Sequence, residues 1–216
     1  MRPPACTGAP PPAGLVLGHR GGLAHAPENS LEAIEQAARL GADGVELDVR
    51  MRGGRLVCAH DPGQAGPDLA DAMALARSLD LWVELDLKSA GRDGAVHALV
   101  DTVAGFDRFW VSTFHPYTAW RLRWTDPSLV VGWAMMPDRV ARPLLWTPWI
   151  LWLGALVVEP HVSLLHPIRL ERWQHHNLRI VTWGVVPPLA PELLGRGVSV
   201  VMDDLLPLDQ PGGSSA

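Results

Sequence analysis

Eight short apolar runs, separated by segments with helical periodicity, constrain the fold of this chain of 216 residues more than any other feature. Most of the helical segments open within two residues of a proline, which the first turn of a helix favours. The apolar runs cover residues 15–17, 45–49, 81–87, 109–114, 129–134, 155–158, 179–185 and 198–202. The helical segments cover residues 30–41, 68–79, 94–104, 116–124, 137–153, 167–176 and 188–194. This alternation predicts an α/β fold, a compact (β/α)8 barrel with short loops and a short or absent eighth helix.

Composition narrows the class of protein further. The chain is 48% hydrophobic and long enough for one full core, and its net charge of -5 provides no basic surface for a nucleic acid. Its two cysteines provide neither a disulfide framework nor a zinc motif, and they suit a reducing cytoplasm. We expect a flexible proline-rich tail over residues 1–13, a barrel over residues 14–208, and a flexible Gly/Ser-rich tail over residues 209–216.

Reactive side chains cluster where the first three apolar runs end. They are His19 and Arg20, Glu46 and Asp48, and Asp86 and Lys88. In a barrel of this kind, the carboxyl ends of the strands form the active-site face. Glu46 and Asp48 alternate with apolar residues, so both carboxylates are expected to point into the barrel. Two inward acids without a cation would be costly, which indicates a metal site.

The stretch from Glu46 to Asp61 predicts a second feature of the site. It is too short to contain a crossover helix between parallel strands. Gly53 and Gly54, flanked by alternating residues, are typical of a hairpin turn. We therefore expect a β-hairpin after the second strand that returns His60 to the carboxylates.

Taken together, these motifs resemble the glycerophosphodiester phosphodiesterase family. The resemblance is carried by His19-Arg20-Gly21, Pro27-Glu28-Asn29-Ser30, Glu46-Leu47-Asp48 and His60-Asp61. Asp86-Leu87-Lys88 stands where the family has Glu-x-Lys, and the segment around Trp183 partly matches its Trp-Thr-Val-Asn. The resemblance implies a TIM barrel that hydrolyses small-molecule glycerophosphodiesters to glycerol 3-phosphate and an alcohol. In the family, the glycerol 2-hydroxyl attacks phosphorus to give a cyclic phosphate, which water then opens.

The residue chemistry and the resemblance together assign roles at the site. Glu46, Asp48 and Asp86 are expected to hold one divalent cation, Mg²⁺ or Ca²⁺, because oxygen ligands favour hard cations over zinc. Arg20 and Lys88 are suited to bind phosphate. His19 and His60 are expected to act as general acid and base, in either order. Glu28 is expected to orient Arg20 or a ligand, and Trp183 to lie near the substrate.

The departures from the family pattern leave alternatives open. Asp86 replaces the family's glutamate, and Glu84 could be the third acidic ligand instead. The segment between Asp61 and residue 81 is short, which predicts an open site, and Val186 replaces an asparagine. An alternative activity is phospholipase D-like cleavage of lysophospholipids or sphingolipids, with a tryptophan-bearing helix at residues 146–152 touching a membrane. A catalytically weak barrel that only binds phosphodiesters is another alternative. The head group, the choice of metal and the oligomeric state stay open.

Overall fold

The computed structural model describes residues 1–22, 26–89, 94–137, 147–185 and 189–203. Its strands are β1 (Leu15–Gly18), β2 (Gly44–Arg52), β3 (Arg55–Cys58), β4 (Trp82–Leu87), β5 (Phe109–Thr113), β6 (Val131–Met135), β7 (Val157–Pro160), β8 (Arg179–Val185) and β9 (Val200–Asp203). Its helices are α1 (Leu31–Arg39), α2 (Leu69–Ser78), α3 (Ala95–Val103), α4 (Pro116–Thr125), α5 (Thr147–Leu153), α6 (Pro167–His175) and α7 (Ala190–Gly195).

Eight parallel strands close into a barrel, which confirms the predicted fold. They pair in the order β1, β2, β4, β5, β6, β7, β8, β9, and β9 pairs with β1 to complete the ring. The remaining strand, β3, pairs with β2, antiparallel, with Arg52 opposite Arg55 across the Gly53-Gly54 turn. The predicted hairpin after the second barrel strand is therefore also confirmed. No helix in the described ranges combines the length and the apolar character needed to cross a bilayer.

Three strands, β6, β7 and β9, begin two residues later than the apolar runs suggested. β7 begins at Val157, two residues after the predicted start, because Gly154 and Ala155 end helix α5. Gly154 has a φ of 73°, and the Ala155 N–H donates to the Ile150 carbonyl, a typical helix C-terminus. β9 likewise begins at residue 200 rather than 198. Of the predicted helix 137–153, α5 covers the end, and residues 138–146 lie outside the described part of the chain.

Two apolar layers explain why alternate strand residues differ in character. Neighbouring buried residues such as Val157 and Val158, or Val200 and Val201, belong to different apolar clusters. The larger cluster joins the strands to the surrounding helices, and the smaller one, which includes Trp110, contains the inward-facing residues. The apolar residues of the smaller cluster fill part of the interior, and the described acids Glu46, Asp48 and Asp86 line a pocket at the end of the barrel where His19 and Lys88 also lie.

The amino-terminal segment, for which the sequence predicts a flexible tail over residues 1–13, makes hydrogen bonds to the barrel, and its flexibility stays a prediction. The guanidinium of the fully buried Arg123 donates to the Pro4 carbonyl at 2.8 Å and to the Pro127 and Leu129 carbonyls at 2.9 Å. Arg179 donates to the Pro11 carbonyl at 3.0 Å. The Pro4 carbonyl thus accepts from a buried cation, which gives the segment a physical reason to pack. The boundaries of the barrel at 14–208 stay a prediction, and the tail at 209–216 lies outside the described residues.

Candidate active site

The site begins with a strained turn at the end of β1. Residues His19–Gly21 form one turn of 3-10 helix, in which Arg20 has a φ of 51°, a left-handed conformation that is uncommon for a residue with a side chain. The Arg20 N–H donates to Glu46 Oε2 at 2.8 Å, and its carbonyl accepts from the Asn29 N–H at 2.8 Å. Hydrogen bonds at both its N–H and its carbonyl thus hold the main chain of Arg20 in place. The turn carries His19 and Arg20 over the mouth of the barrel.

Three carboxylates meet at the carboxyl ends of β2 and β4. Asp48 and Asp86 lie opposite each other in the register of the two strands, and Glu46 lies two residues earlier on β2. One oxygen of each lies within 4.8 Å of the others, and all three side chains are buried. Among the described residues, Asp86 Oδ1 is buried without a hydrogen-bond partner. An orphaned carboxylate oxygen beside two further acids fits a hard divalent cation, which takes oxygen ligands.

Asn29 is a residue of this site to which the sequence analysis assigned no role of its own. The neighbouring Ser30 caps helix α1 by accepting from the Ala33 N–H at 3.1 Å. Asn29 instead makes two bonds of 2.9 Å to Asp48: its amide donates to Asp48 Oδ2, and its carbonyl oxygen accepts from the Asp48 N–H. Its position within the Pro-Glu-Asn-Ser motif was the signal that could have indicated this role.

Two cations neutralise part of the acidic charge. The ammonium of Lys88 contacts Asp86 and lies 2.7 Å from Asp48 Oδ1. Arg20 Nε lies 3.3 Å from Asp48 Oδ2, and Arg20 Nη1 lies 2.6 Å from Glu28 Oε2. Glu28 therefore contacts Arg20 directly, as expected from the sequence, and it does not belong to the cluster of three acids.

Burial and mutual repulsion set the protonation of the acids. Burial, followed by repulsion from Asp48, raises the pKa of Glu46 well above its usual value. Burial also raises the pKa of Asp86. Burial opposes ionisation of Asp48 too, but attraction and a hydrogen bond from Lys88, together with Asn29, lower its pKa. The cluster therefore ionises fully only at a cost, which a bound cation would offset.

Both predicted catalytic histidines line the same pocket as the acids. His19 Nε2 lies 4.0 Å from Glu46 Oε2. His60 arrives from the loop after β3, as the hairpin predicted, and its Nδ1 lies 3.0 Å from Asp61 Oδ1. The Arg50 guanidinium donates to the His60 carbonyl at 2.7 Å and fixes the main chain of that loop.

A second pair of acids lies beside the cluster, with Glu84 opposite Glu46 in the register of β2 and β4. Glu84 accepts from the Ser112 hydroxyl, and Glu159 Oε1 accepts from Trp110 Nε1 at 2.9 Å. Burial and repulsion from Glu159 raise the pKa of Glu84 well above its usual value, and burial raises the pKa of Glu159 to about 7. Glu159 lies on the otherwise apolar strand β7 and lines the pocket, and the sequence analysis did not identify it. Glu84 lies outside the group of three acids that converge.

The opposite wall of the pocket is apolar and includes Trp183. The indole ring of Trp183 packs edge-on against Phe114, with centroids 6.1 Å apart, and against His161 at 4.7 Å. Its Nε1 donates to the Glu159 carbonyl at 3.2 Å. Ala134, Met136 and Met202 complete this wall. A ligand in the pocket would therefore contact charged side chains on one side and apolar side chains on the other.

Eight of the nine predicted site residues line this single pocket, and the ninth, Glu28, contacts one of them. The eight are His19, Arg20, Glu46, Asp48, His60, Asp86, Lys88 and Trp183. The asparagine position occupied by Val186, and Trp146 of the tryptophan-bearing helix, lie outside the described residues. The other two tryptophans of that helix, Trp149 and Trp152, stack on each other with ring centroids 4.9 Å apart.

Fold and site together define a (β/α)8-barrel protein whose pocket combines three acids with the cations of Arg20 and Lys88, which suits phosphodiester chemistry. Comparison with known proteins identifies the family. The model of the glycerophosphoryl diester phosphodiesterase family matches residues 19–90. The glycerophosphodiester phosphodiesterase of Caldanaerobacter subterraneus subsp. tengcongensis is 50% identical over 213 residues, covering 79% of this chain and 85% of that relative. The chain belongs to the glycerophosphodiester phosphodiesterase family.

Other relatives match in part. A probable glycerophosphodiester phosphodiesterase 1 of Mycobacterium tuberculosis is 38% identical over 118 residues, which are 47% of this chain and 43% of that protein. The match thus spans less than half the length of that relative. Among solved structures, a phosphodiesterase of Oleispira antarctica in complex with the product sn-glycerol-3-phosphate superposes with a TM-score of 0.79 at 19% identity, covering 89% of this chain and 94% of that chain. This likeness supports the barrel fold.

Proposed function

We propose that the protein hydrolyses glycerophosphodiesters to glycerol 3-phosphate and an alcohol, with one divalent cation, Mg²⁺ or Ca²⁺. The observation that carries the proposal is the convergence of Glu46, Asp48 and Asp86 to within 4.8 Å, in a pocket that two histidines also line. The family's curated members carry the same activity in their names. The substrate is a small molecule, and we keep the cytoplasm as the predicted location.

The three converging acids are proposed as the cation ligands, with Asp86 rather than Glu84 as the third. The structural reason is that an oxygen of Asp86 lies within 4.8 Å of oxygens of Glu46 and Asp48, whereas Glu84 does not belong to this group and accepts from the Ser112 hydroxyl. When bound, the cation would neutralise a phosphate oxygen and polarise a substrate hydroxyl. The ammonium of Lys88, which contacts Asp48 and Asp86, would then also bind a phosphate oxygen.

The histidines and Arg20 supply the remaining chemistry. Arg20 is held by Glu28 on one side, which leaves its planar guanidinium oriented for a phosphate oxygen. His19 and His60 line the pocket beside the acids, and one would accept the proton of the attacking hydroxyl while the other protonates the leaving alcohol. The geometry supports either assignment of the two roles.

The test is release of glycerol 3-phosphate from glycerophosphocholine with Mg²⁺, Ca²⁺ or EDTA. We expect turnover that requires a cation and falls by about 100-fold or more in His60→Ala. The matched control is His175→Ala, which removes an exposed histidine at the end of α6. Absence of turnover with every cation, while the protein still binds glycerol 3-phosphate, would instead support the barrel that only binds phosphodiesters.

The apolar wall favours one second candidate. Phe114, Met136, Trp183 and Met202 offer carbon surface inside the pocket, which suits a substrate with an acyl chain. Phospholipase D-like cleavage of a lysophospholipid is therefore the alternative activity. Turnover of lysophosphatidylcholine that exceeds turnover of glycerophosphocholine would favour it.

A further inference from the structure

Gln64 links two parts of the site through every polar atom of its side chain. Its Oε1 accepts from the His60 N–H at 3.1 Å and from the Asp61 N–H at 3.0 Å. Its Nε2 donates to Glu28 Oε1 at 2.9 Å. The first two bonds close a local turn, but the third reaches a residue 36 positions earlier in the chain. A turn alone would not require that third contact.

The contact with Glu28 continues to the phosphate-binding side of the pocket. The other oxygen of Glu28 accepts from Arg20 Nη1 at 2.6 Å, and Arg20 Nε lies 3.3 Å from Asp48. Gln64 thus holds one oxygen of the carboxylate whose second oxygen holds Arg20. The loop that carries His60 and the guanidinium of Arg20 are joined through two side chains, Gln64 and Glu28.

Hydrogen bonds rather than packing hold the tip of the His60 loop. Residues 61–63 are exposed, and the whole connection to helix α2 is short. Arg50 and Arg52 also donate to the His60 and Gln64 carbonyls, at 2.7 and 3.0 Å. Main-chain bonds hold the two ends of the loop, from the Ala59 N–H to the Asp48 carbonyl at 2.8 Å and from the Cys58 N–H to the Pro67 carbonyl at 2.9 Å. A loop with so little packing depends on its hydrogen bonds for a fixed conformation.

We propose that Gln64 is a positioning residue for the reaction. It fixes the main chain that carries the His60 imidazole, and through Glu28 it sets the orientation of the Arg20 guanidinium. Acid–base and phosphate-binding groups must keep a fixed separation, because small displacements of reacting groups lower rates steeply. The inference rests on the proposed function for its kinetic consequence, whereas the contacts themselves stand on geometry.

Two substitutions test separately the bonds of Gln64 to the His60 loop and its bond to Glu28. Gln64→Met removes both sets of bonds with a side chain of similar size. Gln64→Glu keeps an oxygen for the His60 and Asp61 N–H groups but places a carboxylate against Glu28. Each is expected to lower kcat/KM for glycerophosphocholine by about tenfold or more. The matched control is Gln174→Met, because Gln174 donates to the Gly197 carbonyl away from the pocket.

The decisive measurement repeats Gln64→Glu in a Glu28→Ala background. There the repulsion is absent, so the substitution should change kcat/KM by less than about twofold, while Gln64→Met still lowers it through the loop. Equal effects of Gln64→Glu in both backgrounds would overturn the link to Arg20. Kinetics unchanged in Gln64→Met, with only the melting temperature lowered, would show a structural role and overturn the proposal.

Two further measurements do not require turnover, so they distinguish a failure of the proposed activity from a failure of the positioning role. Amide hydrogen exchange at His60 and Asp61 should accelerate in Gln64→Met and stay slow in Gln64→Glu. Inorganic phosphate, titrated with Ca²⁺ present, should bind about tenfold more weakly to Gln64→Glu than to wild type, but not in the Glu28→Ala background. Wild type without turnover would contradict the activity alone. Unchanged exchange and unchanged phosphate affinity in the variants would contradict the positioning role.

Discussion

The raised pKa of Glu159 predicts a measurable pH dependence of stability. Burial raises this pKa from 4.5 to about 7 in the folded protein. Between these two pH values, the folded chain retains a proton on Glu159 that the unfolded chain has released, so stability falls as pH rises. At about 1.4 kcal/mol per pKa unit, the shift corresponds to a loss of roughly 3 kcal/mol between pH 4.5 and pH 7 and above.

The substitution Glu159→Gln removes this loss without removing the local hydrogen bond. A glutamine oxygen can still accept from Trp110 Nε1, which lies 2.9 Å from Glu159 Oε1. The assay is urea unfolding of both proteins at pH 5 and pH 8 in EDTA, so that no cation binds the acids. Relative to wild type, the variant should gain roughly 2.5 kcal/mol of unfolding free energy between the two pH values, because part of the loss already occurs below pH 5.

A control and a clear contrary result complete this test. Glu171→Gln removes an exposed glutamate on helix α6 and should follow the wild-type pH dependence. Glu84 is present in all three proteins. If Glu159→Gln lost as much stability as wild type from pH 5 to pH 8, burial would not be holding a proton on Glu159, and the reasoning would be refuted.

Three further predictions concern the metal, the site and the fold. Ca²⁺ at 100 times its Kd should stabilise wild type by about 2.7 kcal/mol but not Asp86→Asn, as measured by thermal shift with and without EDTA. Asn29→Ala leaves polar groups of the buried Asp48 unpaired, so its free energy of unfolding in urea should fall by about 2 kcal/mol; an unchanged value would contradict the role of these bonds. Gly44→Ala places a Cβ 2.3 Å from a carbonyl oxygen of β4 and should lower the free energy of unfolding by about 1–3 kcal/mol or more. Gly195→Ala, with open space around it, should be near neutral. Equal melting temperatures of the two variants would argue against the tight packing of β2 on β4.

Local patterns were sufficient to predict the architecture and most residues of the pocket. The alternation of apolar runs and helical segments predicted the barrel, and Gly53-Gly54 predicted the hairpin, because turns and periodicity depend on neighbours in sequence. The inward direction of Glu46 and Asp48 followed from their alternation with apolar residues. Element boundaries were less accurate, since the end of α5 at Gly154 depends on a backbone conformation that hydrophobicity does not encode.

Contacts between distant segments were decided only by the tertiary structure. The pairing of Asn29 with Asp48, the link from Gln64 to Glu28 and the packing of the amino-terminal segment on Arg123 all join residues far apart in the chain. The place of Glu159 beside Glu84 depends on strands β4 and β7, which are brought to face each other only when the ring closes. The sequence by itself determined which chemical groups end each strand. Barrel closure and strand register decided which of those groups meet, because hydrogen-bond and ion-pair partners are selected by distance in space.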